Sequence, residues 1–214
     1  IGCGSNIACL DLDTKDITSL ALLEDNKKDF FGDAKCDPSG RIWTGTTSTR
    51  KSLITFERDI IIKKHVNDLN PTGLAWSHDT STMFCSDETA KKIFAFDCNI
   101  VSGEVSNKRI VYDYEQKIDG AVPLGICIDQ REKLWIACSG KGEIQRLDPQ
   151  SGQVIQVVKL PTNRPTSCCF GGMDYDELYV TTSAIDSAKD NLAGSIFKVT
   201  ELEVHGMPSP VFRG

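Results

Sequence analysis

The residue types that most often perform catalysis or hold metals are few in this chain and poorly grouped. The three histidines, His65, His78 and His205, stand far apart. The chain has no Gly-x-Ser-x-Gly motif for a serine nucleophile and no Cys-x-x-Cys pair for zinc. Its aspartate-rich stretches lack the spacing and closing glutamate of an EF-hand loop. The local motifs therefore support neither a serine hydrolase nor a zinc finger nor an EF-hand.

Cysteine is unusually frequent, with nine residues. Six of them stand in apolar, strand-like runs: Cys9, Cys85, Cys127, Cys138, Cys168 and Cys169. Disulfide frameworks belong more often to small secreted chains with cysteines in loops. We therefore expect buried, reduced thiols and a cytoplasmic protein. Because Cys168 and Cys169 adjoin on one strand, at least one is expected to pack inside, and a vicinal disulfide is the alternative.

Composition limits the classes of partner. The 214 residues carry a formal net charge of -6 and a sequence pI of about 5.1. An acidic surface repels phosphate backbones, so nucleic acid is not a predicted partner. No apolar run approaches the roughly 18–20 residues of a membrane helix. The sequence begins at Ile1 without methionine, which we interpret as a trimmed chain or a fragment.

The sequence contains a repeated block of short predicted strands that would position these residues. Four segments each give a polar turn, an apolar residue, an aromatic residue and small residues. The aromatics are Trp43, Phe84, Trp135 and Tyr179, at steps of 41, 51 and 44 residues. Those steps match one β-propeller blade, which takes roughly 40–50 residues. No segment keeps the 3.6-residue periodicity of a helical repeat.

Further strands accompany each aromatic. A short apolar run precedes it, as at residues 73–76 and 125–128, and an alternating strand follows it, as at residues 53–56 and 93–96. An additional copy of that following strand stands at residues 7–10, so the chain is expected to open partway through a blade. We predict an all-β chain whose small sheets stack radially to bury their faces, forming one partial propeller domain over residues 1–214.

Several motifs resemble one known family. DAKCDPSGRIWTGT at residues 33–46 is similar to the D-G-K-x-D-P-x-G-x-x-W-x-G-T signature of the regucalcin (senescence marker protein), gluconolactonase and luciferin-regenerating enzyme family. GLAWS at residues 73–77, ICID at 126–129 and TSCCFGG at 166–172 extend the resemblance. It implies a six-bladed propeller, here lacking about one N-terminal blade. It also implies hydrolysis of sugar or related lactones with a divalent cation (Ca²⁺, Zn²⁺ or Mn²⁺) that polarises the carbonyl and the bound water.

Carried over by position, the site that the resemblance implies is degenerate. The family's metal-binding asparagine is Thr72, and its metal-binding and catalytic aspartate is Leu124. The Arg-x-Asn that grips the substrate reads Phe30-Phe31-Gly32, which leaves Asp33 at the rim of the substrate pocket. A hard cation prefers about six to eight oxygen ligands. We therefore assign no catalytic residue and no metal ligand and expect the lactonase site to be inactive.

Three readings stay open. The first is a metal-dependent lactonase that uses replacement ligands. Oxygen atoms near the degenerate positions come from Asn67, Asp68, Asn70 and Asp119, which could bind the cation if a register shift points them inward. A second reading is a non-enzymatic propeller that uses one face for binding or interaction. A third is a repurposed pocket whose mouth, with Phe30, Phe31 and Leu124, favours an apolar small molecule over a lactone.

Overall fold

The structure, a computed structural model, describes residues 2–3, 6–22, 30–47, 51–57, 62–118, 120–185, 188 and 190–213. Their contacts divide into two compact units, residues 1–71 with 210–214, and residues 72–209. Nearly all regular structure is β-strand, and the one helix within these ranges is α1 (Tyr114–Lys117). The all-β prediction is confirmed. Within the same ranges, no helix has the length and hydropathy needed to cross a bilayer.

The first unit contains two antiparallel sheets whose strands follow chain order. One sheet consists of β1 (Gly2–Cys3), β2 (Asn6–Leu10) and β3 (Ile17–Leu22), and the other of β4 (Phe30–Cys36), β5 (Ile42–Thr47), β6 (Ser52–Phe56) and β7 (Ile62–Asn67). The alternating segments predicted at residues 7–10 and 53–56 are therefore strands, within β2 and β6.

The second unit contains three antiparallel sheets, again in chain order. They consist of β8 (Pro71–Trp76), β9 (Thr82–Asp87), β10 (Lys92–Asn99) and β11 (Glu104–Asp113); of β12 (Val122–Ile128), β13 (Leu134–Ser139), β14 (Glu143–Asp148) and β15 (Gln153–Lys159); and of β16 (Pro165–Gly171), β17 (Glu177–Thr182) and β18 (Ile196–Val199). Each is the up-and-down meander expected of a propeller blade.

The burial of successive strands shows how these sheets are stabilised in the second unit. The inner strands β13 and β14 are buried almost throughout, whereas the outermost strand β15 alternates between exposed and half-buried residues. One apolar cluster joins Phe84 and Ala95 to Leu134 and Ile136 of the next sheet. A second cluster joins that sheet to β16 and β17. Each sheet therefore buries its faces against its neighbours, which a small sheet cannot do alone.

The repeated aromatics lie at equivalent places. Trp43, Phe84, Trp135 and Tyr179 stand on the second strands β5, β9, β13 and β17, and both tryptophans are fully buried. The recurrence of Trp43, Trp76 and Trp135 in the repeat predicts that all three belong to blade cores, and all three are buried. Tyr179 is half-buried.

A buried aspartate organises the turn before two of these tryptophans. Asp129 Oδ1 accepts hydrogen bonds from the backbone N–H groups of Arg131 and Lys133, while its Oδ2 accepts one from Arg146 Nε at 2.7 Å. Asp37 also accepts a hydrogen bond from the indole of Trp43, at 2.8 Å. The aspartate, six positions before its tryptophan in both blades, therefore fixes the turn and the core together.

The cysteine prediction needs one correction. Cys85, Cys127, Cys138 and Cys168 are buried, but Cys9 and Cys169 are exposed. Neighbouring side chains on a strand point to opposite faces, so an apolar run does not bury every member. The expectation that at least one of Cys168 and Cys169 packs inside is confirmed by Cys168. The eight cysteine side chains that the structure describes are free thiols.

Candidate functional site

Thr72 and Leu124 occupy equivalent positions in β8 and β12, each between a proline and a glycine. The glycines allow the first strands of neighbouring sheets to touch. A Cβ atom on Gly73 would lie 2.5 Å from the backbone nitrogen of Ile126, and one on Gly125 would lie 2.7 Å from the Cα of Ser167. The Pro-x-Gly sequences therefore bring Thr72 and Leu124 together at the ends of adjacent first strands.

The hydroxyl of Thr72 is held within this packing. Its Oγ1 lies 3.3 Å from the carbonyl oxygens of Ser86 and Pro123 and 3.2 Å from the hydroxyl of Ser86. Ser86 in turn donates a 2.5 Å hydrogen bond to the carbonyl of Leu124. A hydroxyl carries one hydrogen, so the Thr72 hydroxyl donates to one of these oxygens at a time, on β9 or on β12.

Leu124, at the position that the resemblance assigns to a metal-binding aspartate, has a hydrocarbon side chain. Its side chain is half-buried and packs against the apolar cluster that contains Trp135, Cys168 and Phe170. A hard divalent cation needs several oxygen ligands. The side chains of Thr72 and Leu124 together supply one oxygen atom, which does not fit that requirement. Across the described part of the chain, no group of three or more His, Cys, Asp or Glu side chains is placed to hold a metal ion.

The predicted substrate-pocket residues Phe30, Gly32 and Asp33 lie on β4, in the first unit. Pairing of β4 with β5 changes register between Phe31 and Ala34, so Gly32 and Asp33 form the irregular step. Burial raises the pKa of the Asp33 carboxyl, although the positive charge of Lys35 and a hydrogen bond from the backbone N–H of Ala34 act in the opposite direction. The surroundings of Asp33 therefore disfavour its ionised form.

Phe31 and Leu124, two of the three residues predicted to form an apolar mouth, each pack on a core cluster of their own unit. Phe31 packs against the cluster of Ile7, Ala21 and Phe56 in the first unit, so it serves the core of that unit. The side chain of Phe30 lies outside the described residues. Leu124, as noted, packs on a core cluster of the second unit.

Of the four candidate replacement donors, Asn67, Asp68 and Asn70 lie in the first unit. Asn67 and Asp68 are exposed, and Asp68 adopts a positive φ of 54°. Asn70 is buried, at 7% exposure. Asp119 lies outside the described residues. Asp68 has the local conformation of a turn residue, which agrees with a capping role.

The histidines also remain apart from one another. His65 stacks on Trp43 with 4.6 Å between ring centroids and lies 2.8 Å from the hydroxyl of Thr55. His78 contacts the carbonyl of Asp129, and His205 contacts that of Asp174. These are local packing and turn contacts, and no two of the three imidazoles share a contact in them.

Comparison with known proteins shows which family this chain resembles. A family model described as "SMP-30/Gluconolactonase/LRE-like region" matches residues 1–184. The chain belongs to this family. Regucalcin of Oryctolagus cuniculus is 37% identical over 228 residues, which cover 99% of this chain and 76% of that protein. Regucalcin of Danio rerio is 38% identical over 224 residues, covering 99% and 75%.

Solved structures of SMP-30/gluconolactonase/LRE-like proteins share the fold. A luciferin-regenerating enzyme superposes with a TM-score of 0.91 at 27% identity, covering 99% of this chain and 76% of that one. A calcium-binding protein, regucalcin from Agrobacterium tumefaciens, superposes with a TM-score of 0.88 at 23% identity, covering 99% and 74%. The chain therefore has an all-β propeller arrangement, and the motif resemblance is confirmed. Six blades and a missing N-terminal blade stay predictions.

Proposed function

We propose that this member of the SMP-30/gluconolactonase/LRE-like family has lost divalent-metal-dependent lactone hydrolysis and acts as a non-enzymatic binding protein. The observation that carries the proposal is Leu124. Its side chain supplies hydrocarbon to a core cluster at the position where the resemblance implies a metal-binding and catalytic aspartate. The contacts of the Thr72 hydroxyl with Ser86 and Pro123 support the same conclusion at the second position.

Chemistry explains why these two changes matter together. The cation of the implied reaction polarises the lactone carbonyl and lowers the pKa of bound water. Without a carboxylate at position 124, the chain lacks the base expected to accept a proton from that water. The packing of Phe31 and Leu124 on core clusters argues against the alternative of an apolar ligand pocket built from them.

The proposal is tested by calorimetric titration with CaCl₂, ZnCl₂ and MnCl₂ and by following hydrolysis of glucono-δ-lactone. The unmodified chain is expected to give no metal binding and no hydrolysis above the uncatalysed rate. Metal-dependent turnover by the unmodified chain would refute the proposal.

A reverse experiment uses Leu124→Asp together with Thr72→Asn, which introduces the oxygen atoms that the resemblance implies. We expect this double variant to gain metal affinity relative to the unmodified chain. The matched control is Leu124→Ala, which removes the same hydrocarbon packing but adds no oxygen. A gain that appears equally in the control would come from loosened packing rather than from new ligands.

A further inference from the structure

A cavity of about 340 Å³ lies in the second unit, away from Thr72 and Leu124. Its walls come from β9–β11, from the turn that joins β8 to β9, and from two turns of the sheet β12–β15. The volume falls near the lower end of the roughly 300–1,000 Å³ of small-molecule sites. The cavity is therefore large enough for a compact ligand.

The cavity opens at the other end of β8 from the degenerate family site. Thr72 is the second residue of β8, whereas Ser77, in the cavity wall, follows its last residue Trp76. An extended strand rises about 3.3 Å per residue, so some 16 Å of strand separates the two positions. A ligand in the cavity would be independent of the lost lactonase chemistry.

One wall is an apolar row across the sheet. Phe84 on β9 pairs directly with Ala95 on β10, and Ala95 pairs directly with Arg109 on β11. Directly opposed residues project to the same face of a sheet. Phe84 and Ala95 are only 7% and 2% exposed, so they form the floor of the cavity. The accessible apolar surface comes from the half-buried Val111 on β11 and Pro149 of the neighbouring sheet. This wall offers the kind of surface on which the C–H groups of a ligand pack.

Two carboxylates stand at the opposite wall. Asp79 accepts hydrogen bonds from the hydroxyls of Ser77 and Ser81, at 2.6 and 2.8 Å, and these contacts lower its pKa to about 2. Glu132 comes from the next sheet and accepts a 3.0 Å hydrogen bond from the backbone N–H of His78. The packing of two sheets therefore brings both carboxylates to one turn.

Arg109 completes the polar lining. Its Nη1 donates to Asp97 at 2.6 Å and to the carbonyl of Asn107 at 3.2 Å. A guanidinium has five N–H donors, so Nε and Nη2 retain donors beyond the contacts seen in the described ranges. The cavity thus combines an apolar row, carboxylate acceptors, hydroxyls and a guanidinium donor.

From this combination we infer that the cavity binds a neutral polyhydroxylated compound of about monosaccharide size. A hydroxyl both donates and accepts, so the same ligand can donate to Asp79 and Glu132 and accept from Arg109. Its C–H face packs on Val111 and Pro149 above the floor of Phe84 and Ala95. An ammonium group has no lone pair to accept a hydrogen bond from Arg109, while an anion would oppose the charges of Asp79 and Glu132. The neutral polyol is the class that satisfies both walls.

The test uses three probes on one ring skeleton, namely D-glucose, D-glucosamine and D-glucuronate, with EDTA present. Binding is followed by saturation-transfer NMR and by backbone amide shifts. We expect D-glucose to bind, with shift changes in residues 77–82 and 129–133, and D-glucuronate to bind more weakly. Binding of D-glucosamine without D-glucose would overturn the polyol class, and failure of D-glucose would overturn the site.

Variants locate the binding. Glu132→Gln and Arg109→Gln should each weaken D-glucose binding about tenfold, the loss expected for one charge-assisted hydrogen bond. Asp176→Asn, in the equivalent turn before β17, is the matched control and should leave binding unchanged. Leu124→Ala tests the family site at the other strand end. Binding that survives Glu132→Gln and Arg109→Gln, or that is lost in Leu124→Ala, would refute the inference. Thermal unfolding of each variant confirms that it is folded.

Discussion

The indole Nε1 of Trp135 donates a 2.9 Å hydrogen bond to Oδ2 of Asp129, and both side chains are fully buried. Arg146 also binds this carboxylate, with its Nη2 at 2.7 Å from Oδ2. A buried charge is tolerated only when it is paired and hydrogen-bonded. The Asp129 carboxylate therefore connects a turn, the core tryptophan and the third strand of the blade.

We expect Asp129→Ala to lower the free energy of unfolding by about 3–5 kcal/mol, because it leaves the buried Arg146 without its partner. Asp129→Asn keeps an acceptor for the turn and should cost less. Urea unfolding followed by circular dichroism measures both. Asp176→Ala, at an exposed turn position, is the control and should stay within about 0.5 kcal/mol of the parent. A loss below 1 kcal/mol in Asp129→Ala would contradict this role.

The second prediction concerns the close approach of first strands. Gly73→Ala places a methyl group against the backbone of Ile126 and should cost about 1–3 kcal/mol through overpacking. Gly120→Ala separates the steric effect from the conformational one, because that site has open space but a φ of +70°. It should cost about 1 kcal/mol from backbone strain alone. A destabilisation clearly below about 1 kcal/mol in Gly73→Ala would argue against tight contact between β8 and β12.

Strand positions and the family could be predicted because both are visible as residue patterns along the chain. The alternation at residues 93–96 involves only neighbouring residues, and the aromatic repeat is a matter of counting positions. The contacts of Thr72 could not be predicted, since its partners Ser86 and Pro123 stand 14 and 51 positions away. The cavity beside Asp79 depends likewise on Glu132 arriving from the next sheet. Residue type alone led to the proposed loss of the family site at Leu124, but the packing of Leu124 required the fold.

The buried aspartates carried a sequence signal whose meaning lay in the tertiary structure. Asp37 and Asp129 both stand six positions before a tryptophan. The spacing suggested a turn followed by a core residue, which is correct. The spacing did not indicate that the carboxylate is buried and hydrogen-bonded to the indole, because that contact forms only when the two strands of the hairpin pair. Exposure of Cys9 was missed for a related reason, since strand composition does not specify the outward face.

The third prediction uses two adjacent cysteines as mutual controls. Cys169 is exposed and Cys168 is 4% exposed. Brief treatment of the native protein with iodoacetamide should modify Cys169 and Cys9 and leave Cys168 unmodified, as read by peptide mass spectrometry. Burial also raises the pKa of Cys138 to about 12, so that thiol should remain unmodified at neutral pH. Equal labelling of Cys168 and Cys169 in the native state would contradict the orientation of β16.

The last prediction concerns the half-buried carboxylate of Asp33. Its folded-state pKa is raised by burial, so the folded protein favours the protonated form. The resulting stabilisation is complete below the ordinary value of 3.8 and is lost as the pH rises through the folded pKa. Asp33→Asn removes the cost of the buried charge and should raise the melting temperature at pH 7, with the difference shrinking as the pH falls towards 3.8.

Asp148 provides a control of opposite sign. A hydrogen bond from Lys133, at 2.8 Å, lowers the pKa of Asp148, so its contribution to stability is present at neutral pH and is lost on acidification. Asp148→Asn should therefore lower the melting temperature at pH 7. A lower melting temperature for Asp33→Asn at pH 7 would mean that its charge stabilises the fold. The expected rise would instead identify Asp33 as a carboxylate kept at the expense of stability, the pattern of a residue retained for binding.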